Sequence, residues 1–192
     1  ETDPKDPDGP KIEPTANTPP QECNFNPADH KFIPKDQWQC SQALIDHIHH
    51  FEGFADQTGR YGATQPLPGG GKAKAYPDPA SKAEPITVGY GTTAAILSKT
   101  KYKQNFTYDT TVDQATADDW IKEVINVVLI PYLKKGQTNT ELTQGMIDAI
   151  CDLIWSGVGI YQKSSIRTKT NDKDYCGAAD AFLLYRYAPL PK

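Results

Sequence analysis

Between residues 55 and 80 the chain carries five glycines (Gly59, Gly62, Gly69, Gly70 and Gly71) and four prolines (Pro66, Pro68, Pro77 and Pro79). Glycine loses the most backbone entropy on ordering and proline lacks a donor N–H, so neither a helix nor a long strand can run through this stretch. Helical periodicity nevertheless lies on both sides of it. The chain must therefore set a long loop-rich segment between a first helix and a later helical body. Loops of that length in compact domains are commonly functional. No internal repeat is present.

The spacing predicts a helix over 41–52, with Ser41 as N-cap, Leu44, Ile48 and Phe51 on one face, and Gly53 as the stop. Residues 86–91, Ile-Thr-Val-Gly-Tyr-Gly, suit a short strand that turns tightly. Thr111 followed by Gln114 reads as a capping box for a helix that buries Trp120, Val124, Val127 and Val128 and ends near Pro131. Thr143 caps a third helix with Ile147, Ile150, Leu153 and Ile154 inward, stopped by Gly157 and Gly159. Asp174 caps a fourth, whose stripe is Ala178, Ala179, Phe182 and Leu183. The expected class is mainly α, of α+β type: a helical domain with a small β/loop lobe beside a cleft.

The first 34 residues differ from the rest. They hold eight of the 16 prolines, and seven acids against three bases account for the whole formal charge of −4. Residues 35–192 are balanced at 17 acids and 17 bases. A Pro-rich acidic stretch with few large apolar residues buries too little surface to fold, so 1–34 reads as a semi-extended linker and 35–192 as the domain. The chain opens on Glu1 and its only methionine is Met146, which reads as the C-terminal part of a larger protein. No run approaches the ~18 apolar residues of a membrane span, and no Lys/Arg-rich block suggests a nucleic-acid partner. A monomer is expected.

Cys23, Cys40, Cys151 and Cys176 allow two disulfides in three connectivities. The sequence-local choice is Cys23–Cys40 with Cys151–Cys176, and the alternative is buried thiols in a reducing compartment. No CxxC pair supports a structural zinc site, and His47, His49 and His50 lack an HExxH context. Neither a metal nor a cofactor is expected.

The candidate chemistry lies in Glu52, Asp78 and Thr87. Glu52 sits between Phe51 and Phe54 at a helix end, where partial desolvation would keep a proton on the carboxyl near neutrality. Asp78, in Tyr-Pro-Asp-Pro, sits on a stiff loop and can stay ionised. Two carboxyls in unlike environments suit glycoside cleavage: one protonates the leaving oxygen while the other serves water or the anomeric carbon. Thr87 supplies a hydroxyl that can position water. Tyr61, Tyr76, Tyr90 and Tyr161 could stack on sugars, with His50 and Asp56 as further cleft contacts, whereas Trp155 reads as core.

Phe51-Glu52-Gly53-Phe54, Ala75-Tyr76-Pro77-Asp78 and Ile86-Thr87-Val88-Gly89-Tyr90-Gly91 together resemble the phage-type lysozyme family, glycoside hydrolase family 24-like. That family is marked by Glu-Gly at a helix end, Tyr-x-Asp, and Thr-Ile/Val-Gly-x-Gly. Residues 142–150 resemble the opening of its central helix. Residues 171–182 resemble its Asn-x-Gly-Asp-Tyr-x-Gly-Ala-Ala-x-x-Phe segment. The likeness spans about 43–185, in order. It implies a muramidase that cuts the β-1,4 bond between N-acetylmuramic acid and N-acetylglucosamine in peptidoglycan. In that case Glu52 is the acid, Asp78 the second carboxylate and Thr87 the water-positioning hydroxyl, with inversion the expected course. A wall-binding module without catalysis and a chitin- or chitosan-type glycosidase are the alternatives. Action would be periplasmic or extracellular, as a phage lysin or as a secreted antibacterial effector with an immunity protein as partner. Three departures stand out. Glu52 and Asp78 are 26 residues apart where the family has about ten, which makes Asp56 a rival second carboxylate. Thr92 follows Gly91 where the family commonly has His. The chain also stops soon after Tyr187, where many relatives add helix.

Overall fold

The computed structural model describes residues 23–56, 59–61, 71–77 and 84–185. Helix α1 (Gln42–Glu52) is capped by Ser41, whose Oγ accepts from Leu44 N–H at 3.3 Å. A lobe of short antiparallel strands follows. β1 (Phe54–Asp56) pairs with β2 (Gly59–Tyr61), and β4 (Tyr76–Pro77), β5 (Ile86–Val88) and β6 (Thr92–Thr93) form a three-stranded sheet. β3 (Ala73–Lys74) pairs across the lobe with β7 (Thr111–Val112), and α2 (Ala94–Leu97) lies between.

The rest is helical: α3 (Gln114–Val124), α4 (Ile130–Gly136), α5 (Gln144–Ser156), α6 (Val158–Lys163), α7 (Ser165–Asn171) and α8 (Tyr175–Tyr185). The α+β architecture is the expected one, with the small lobe inserted after the first helix. Its core joins Leu44, Ile45 and Ile48 of α1 to Trp120, Ile121 and Val124 of α3 and Ile147, Ile150 and Ile154 of α5. Each such aliphatic side chain contributes roughly 1.5–3 kcal/mol through burial.

Several expectations are corrected. Phe51 is 63% exposed and lies against His47 (ring centroids 4.4 Å apart), because α1 turns its core face through Ile48 and stops one turn later. The cap of α3 is Asp113, not Thr111, which lies in β7. Pro131 does not end the helical run. Wider π-type turns over Ile125–Leu129 lead into α4, whose first turn takes Pro131, where the missing N–H does least harm. Those turns bury Ile125 and Leu129 and leave Val127 42% exposed. Of the stripe expected on α8, Ala178 is buried and Phe182 half-buried, while Ala179 is exposed and Leu183 is 53% exposed; Tyr175 and Ala181 complete the buried face among the described positions.

The cysteine pairing is also corrected. The bond is Cys23–Cys176, and Cys40 and Cys151 are free thiols. Cys40 lies beside α5, since Gln144 Nε2 donates to Gln39 O at 2.8 Å and Ser41 N–H and Oγ–H donate to Asp148. Burial, with Asp148 nearby, pushes both free thiols up. Sequence proximity misled because Cys23 is brought to α8 by packing that closes over more than half the chain. Phe25 meets Tyr175, Ile33 N–H donates to Leu142 O at 2.8 Å, and Trp38 Nε1–H donates to Ile33 O at 2.8 Å. These contacts tie the segment 23–34 to the helical body.

Asp113 permits a first prediction. Its carboxylate accepts from Thr116 N–H at 2.8 Å, and chiefly this holds it below its usual range. A carboxyl lowered on folding stabilises fully above its unfolded value of roughly 3.9, and that contribution is lost as pH falls through the folded value. Asp113→Ala should lower Tm by roughly 2–4 °C at pH 7, and the gap to wild type should narrow below about pH 4. A calorimetric gap constant with pH would contradict the assignment.

Candidate functional site

Glu52 is the last residue of α1, and the chain leaves the helix through Gly53 at φ 64°, a left-handed conformation that glycine adopts without strain. The half-buried Glu52 carboxyl lies against the turn after β5. A Cβ built on Gly91 would lie 3.6 Å from Glu52 Oε2, an ordinary contact distance, so what calls for glycine there is its left-handed φ of 76°. Gly91 also opens a hollow of about 230 Å³ lined by Thr92, Thr93, Ile96, Val124, Leu129, Ile154 and Trp155. The acid thus stands at a junction between the strand lobe and the helical body.

Thr87 is 6% exposed in the centre of the sheet, opposite Tyr76 on β4 and Thr93 on β6. Its Oγ1–H donates to Tyr76 O at 3.2 Å, which directs the proton into the sheet and leaves the oxygen as an acceptor. Asp78, the next residue after β4, lies outside the described residues. Asp56 ends β1 opposite Gly59. Tyr76 is half-buried beside Thr87, and His50 is exposed with its ring edge-on to Phe51 at 4.8 Å.

Two expected sugar platforms are core residues. Tyr90 is 0% exposed: its ring stacks on His49 (4.5 Å, 13° between planes), its hydroxyl accepts from Gln114 Nε2 at 2.9 Å, and burial pushes its pKa up to about 12. Tyr161 is also 0% exposed, its hydroxyl donating to Gln137 Oε1 at 2.9 Å. Neither offers a face to a ligand. Trp155, read as core, is half-buried: it packs against the core and also forms part of the wall of the hollow beside Gly91.

The histidines diverge. His47 Nε2 is 3.5 Å from Asp152 of α5, whose carboxyl is held above its usual range by burial and only partly brought back by His47. His49 Nε2 is 3.2 Å from Asp118 of α3. Among the described residues no three His, Cys, Asp or Glu side chains converge as a metal site would require.

Phage lysozyme is the family that matches the chain, over residues 68–191. The match begins after Glu52 and includes Asp78 and Thr87. Among solved structures, a point mutant of P22 lysozyme shares 24% identity over 81% of this chain and 88% of its own, with a TM-score of 0.57. The endolysin from Escherichia coli O157:H7 phage FAHEc1 shares 18% identity over 80% of each chain, with a TM-score of 0.52. At these identities the likeness is one of fold. No curated protein matches the sequence.

Proposed function

The chain belongs to the phage lysozyme family and is a glycoside hydrolase of peptidoglycan; on that premise we propose that it is a muramidase using Glu52 as its acid. The bond cut is the β-1,4 link between N-acetylmuramic acid and N-acetylglucosamine. The single observation that supports this most is the place of Glu52, at the end of α1 with Oε2 beside Gly91 and the hollow next to it. A carboxylate there faces the negative end of its own helix dipole, an arrangement that stability alone would not favour.

In this reading Glu52 donates a proton to the glycosidic oxygen as the C–O bond breaks. Asp78 holds or deprotonates the attacking water, and Thr87 Oγ1 accepts one of that water's hydrogens. The water then adds to the anomeric carbon and inverts it. The protein acts as a monomer on the wall, in the periplasm or outside the cell. The Cys23–Cys176 bond favours such an oxidising setting. An immunity protein would accompany the chain only if it is an antibacterial effector.

The test is digestion of purified peptidoglycan with mass analysis and anomer detection. Products ending in reducing N-acetylmuramic acid, first released as the α anomer, are expected. Chitin oligomers cut while walls stay intact would indicate the chitinase-type reading, and wall binding without products a non-catalytic module. Asp78→Asn should reduce turnover about 10²-fold or more while Asp56→Asn stays near wild type. The reverse order would make Asp56 the second carboxylate.

A further inference from the structure

The ring of His49 is largely buried, and the residue touches three elements around Glu52. Its main-chain carbonyl accepts from Gly53 N–H at 3.2 Å, closing the last turn of α1 around Glu52. Its ring lies flat on Tyr90, the residue before Gly91, and Gly91 in turn borders Glu52 Oε2. Its Nε2 lies 3.2 Å from Asp118 Oδ1 on α3, and the two buried atoms face each other as a close polar pair outside hydrogen-bond geometry. Tyr90 is held on its other sides by Gln114 of α3 and by Phe54 of β1, at 5.3 Å between rings. His49 thus closes a ring of contacts that runs through Gly53, Glu52, Gly91 and Tyr90 and back to itself, with Asp118 anchoring the ring to the helical body.

We propose that His49 is a positioning residue that holds the Glu52 carboxyl against the Gly91 turn. It uses its aromatic face on Tyr90 and its ring nitrogen on Asp118. This rests on the reading of Glu52 as the acid. A buried polar atom stripped of its counterpart is costly, so the pair defines one arrangement of α1 against α3 and tolerates few others. Displacing a reacting group by an ångström is enough to slow a reaction 10²-fold.

The experiment uses soluble glycan strands labelled at the reducing end, so that kcat and KM separate. His49→Ala should lower kcat roughly 10- to 100-fold with KM within about twofold. His49→Phe keeps the stack and His49→Asn keeps a polar contact for Asp118, so each should recover part of that loss. Adding Asp118→Asn to His49→Phe should cost little more, because the two residues act through one contact. The amide resonances of Gly53 and Gly91 should shift together in His49→Ala, a readout independent of turnover. Wild-type kcat in His49→Ala while Glu52→Gln is inactive would overturn the proposal, as would a loss confined to KM or unmoved Gly53 and Gly91 amides. Should His49→Ala fail to fold, His49→Phe and His49→Asn carry the same comparison. Activity surviving in Glu52→Gln would overturn the acid assignment instead, leaving the amide shifts to decide whether His49 holds the turn.

Discussion

Glu52→Gln should give a folded protein that clears wall suspensions about 10²–10⁴ times more slowly than wild type, the usual worth of a general acid. The substitution is isosteric and removes a negative charge from the C-terminal end of α1, where the helix dipole disfavours one. Stability should therefore hold or rise slightly, with Tm within roughly 2 °C of wild type. Glutamine fills the same volume beside Gly91, so the packing of the turn is kept. Separating loss of activity from loss of fold makes the experiment informative. Turbidity traces and circular dichroism of the same preparation suffice, and a fully active Glu52→Gln would end the mechanism.

Breaking the Cys23–Cys176 bond should cost stability on the scale of truncating a large core side chain. The bond closes a loop with a sequence separation of 153 and ties the entering segment to α8. Removing a native disulfide costs about 2–5 kcal/mol, and long loops lie toward the upper end. For a chain of this size that is roughly 4–20 °C in Tm. Cys23→Ser with Cys176→Ser should melt lower by that amount and match the reduced wild type. Thiol titration of the unfolded but unreduced protein should find the two free cysteines, Cys40 and Cys151. Coincident melting of oxidised and reduced wild type would show that the bond contributes nothing. The remaining contacts of this segment, Phe25 with Tyr175 and Ile33 with Leu142, would then hold it alone.

The helix starts at Ser41 and Thr143 and the cap at Asp174 were legible because each depends on groups within one turn. Ser41 Oγ accepts from Leu44 N–H, Thr143 Oγ1 from Met146 N–H, and Asp174 Oδ1 from Gly177 N–H. The short helices α6 and α7 were missed. They join at Ser164, which caps α7, and are too short for a hydrophobic period to repeat. Pro131 was read as a stop because its missing N–H breaks a regular ladder, and the wider turns before it removed that objection. At the site, the order of Glu52, Thr87 and Gly91 was readable from their motifs. The buried side of the same turn was not, because Tyr90 and His49 meet only when the strand lobe folds back on α1.

Sequence alone thus determined which residues begin helices, where a loop-rich lobe must interrupt them, and which carboxyl stands at a helix end. These are matters of backbone chemistry within three or four residues. Only the tertiary structure decided which cysteines bond, which aromatics face solvent, and which ring packs behind Tyr90 next to the Gly91 turn. Those outcomes depend on contacts between residues tens of positions apart, where the packing of whole elements, rather than spacing along the chain, sets the distance.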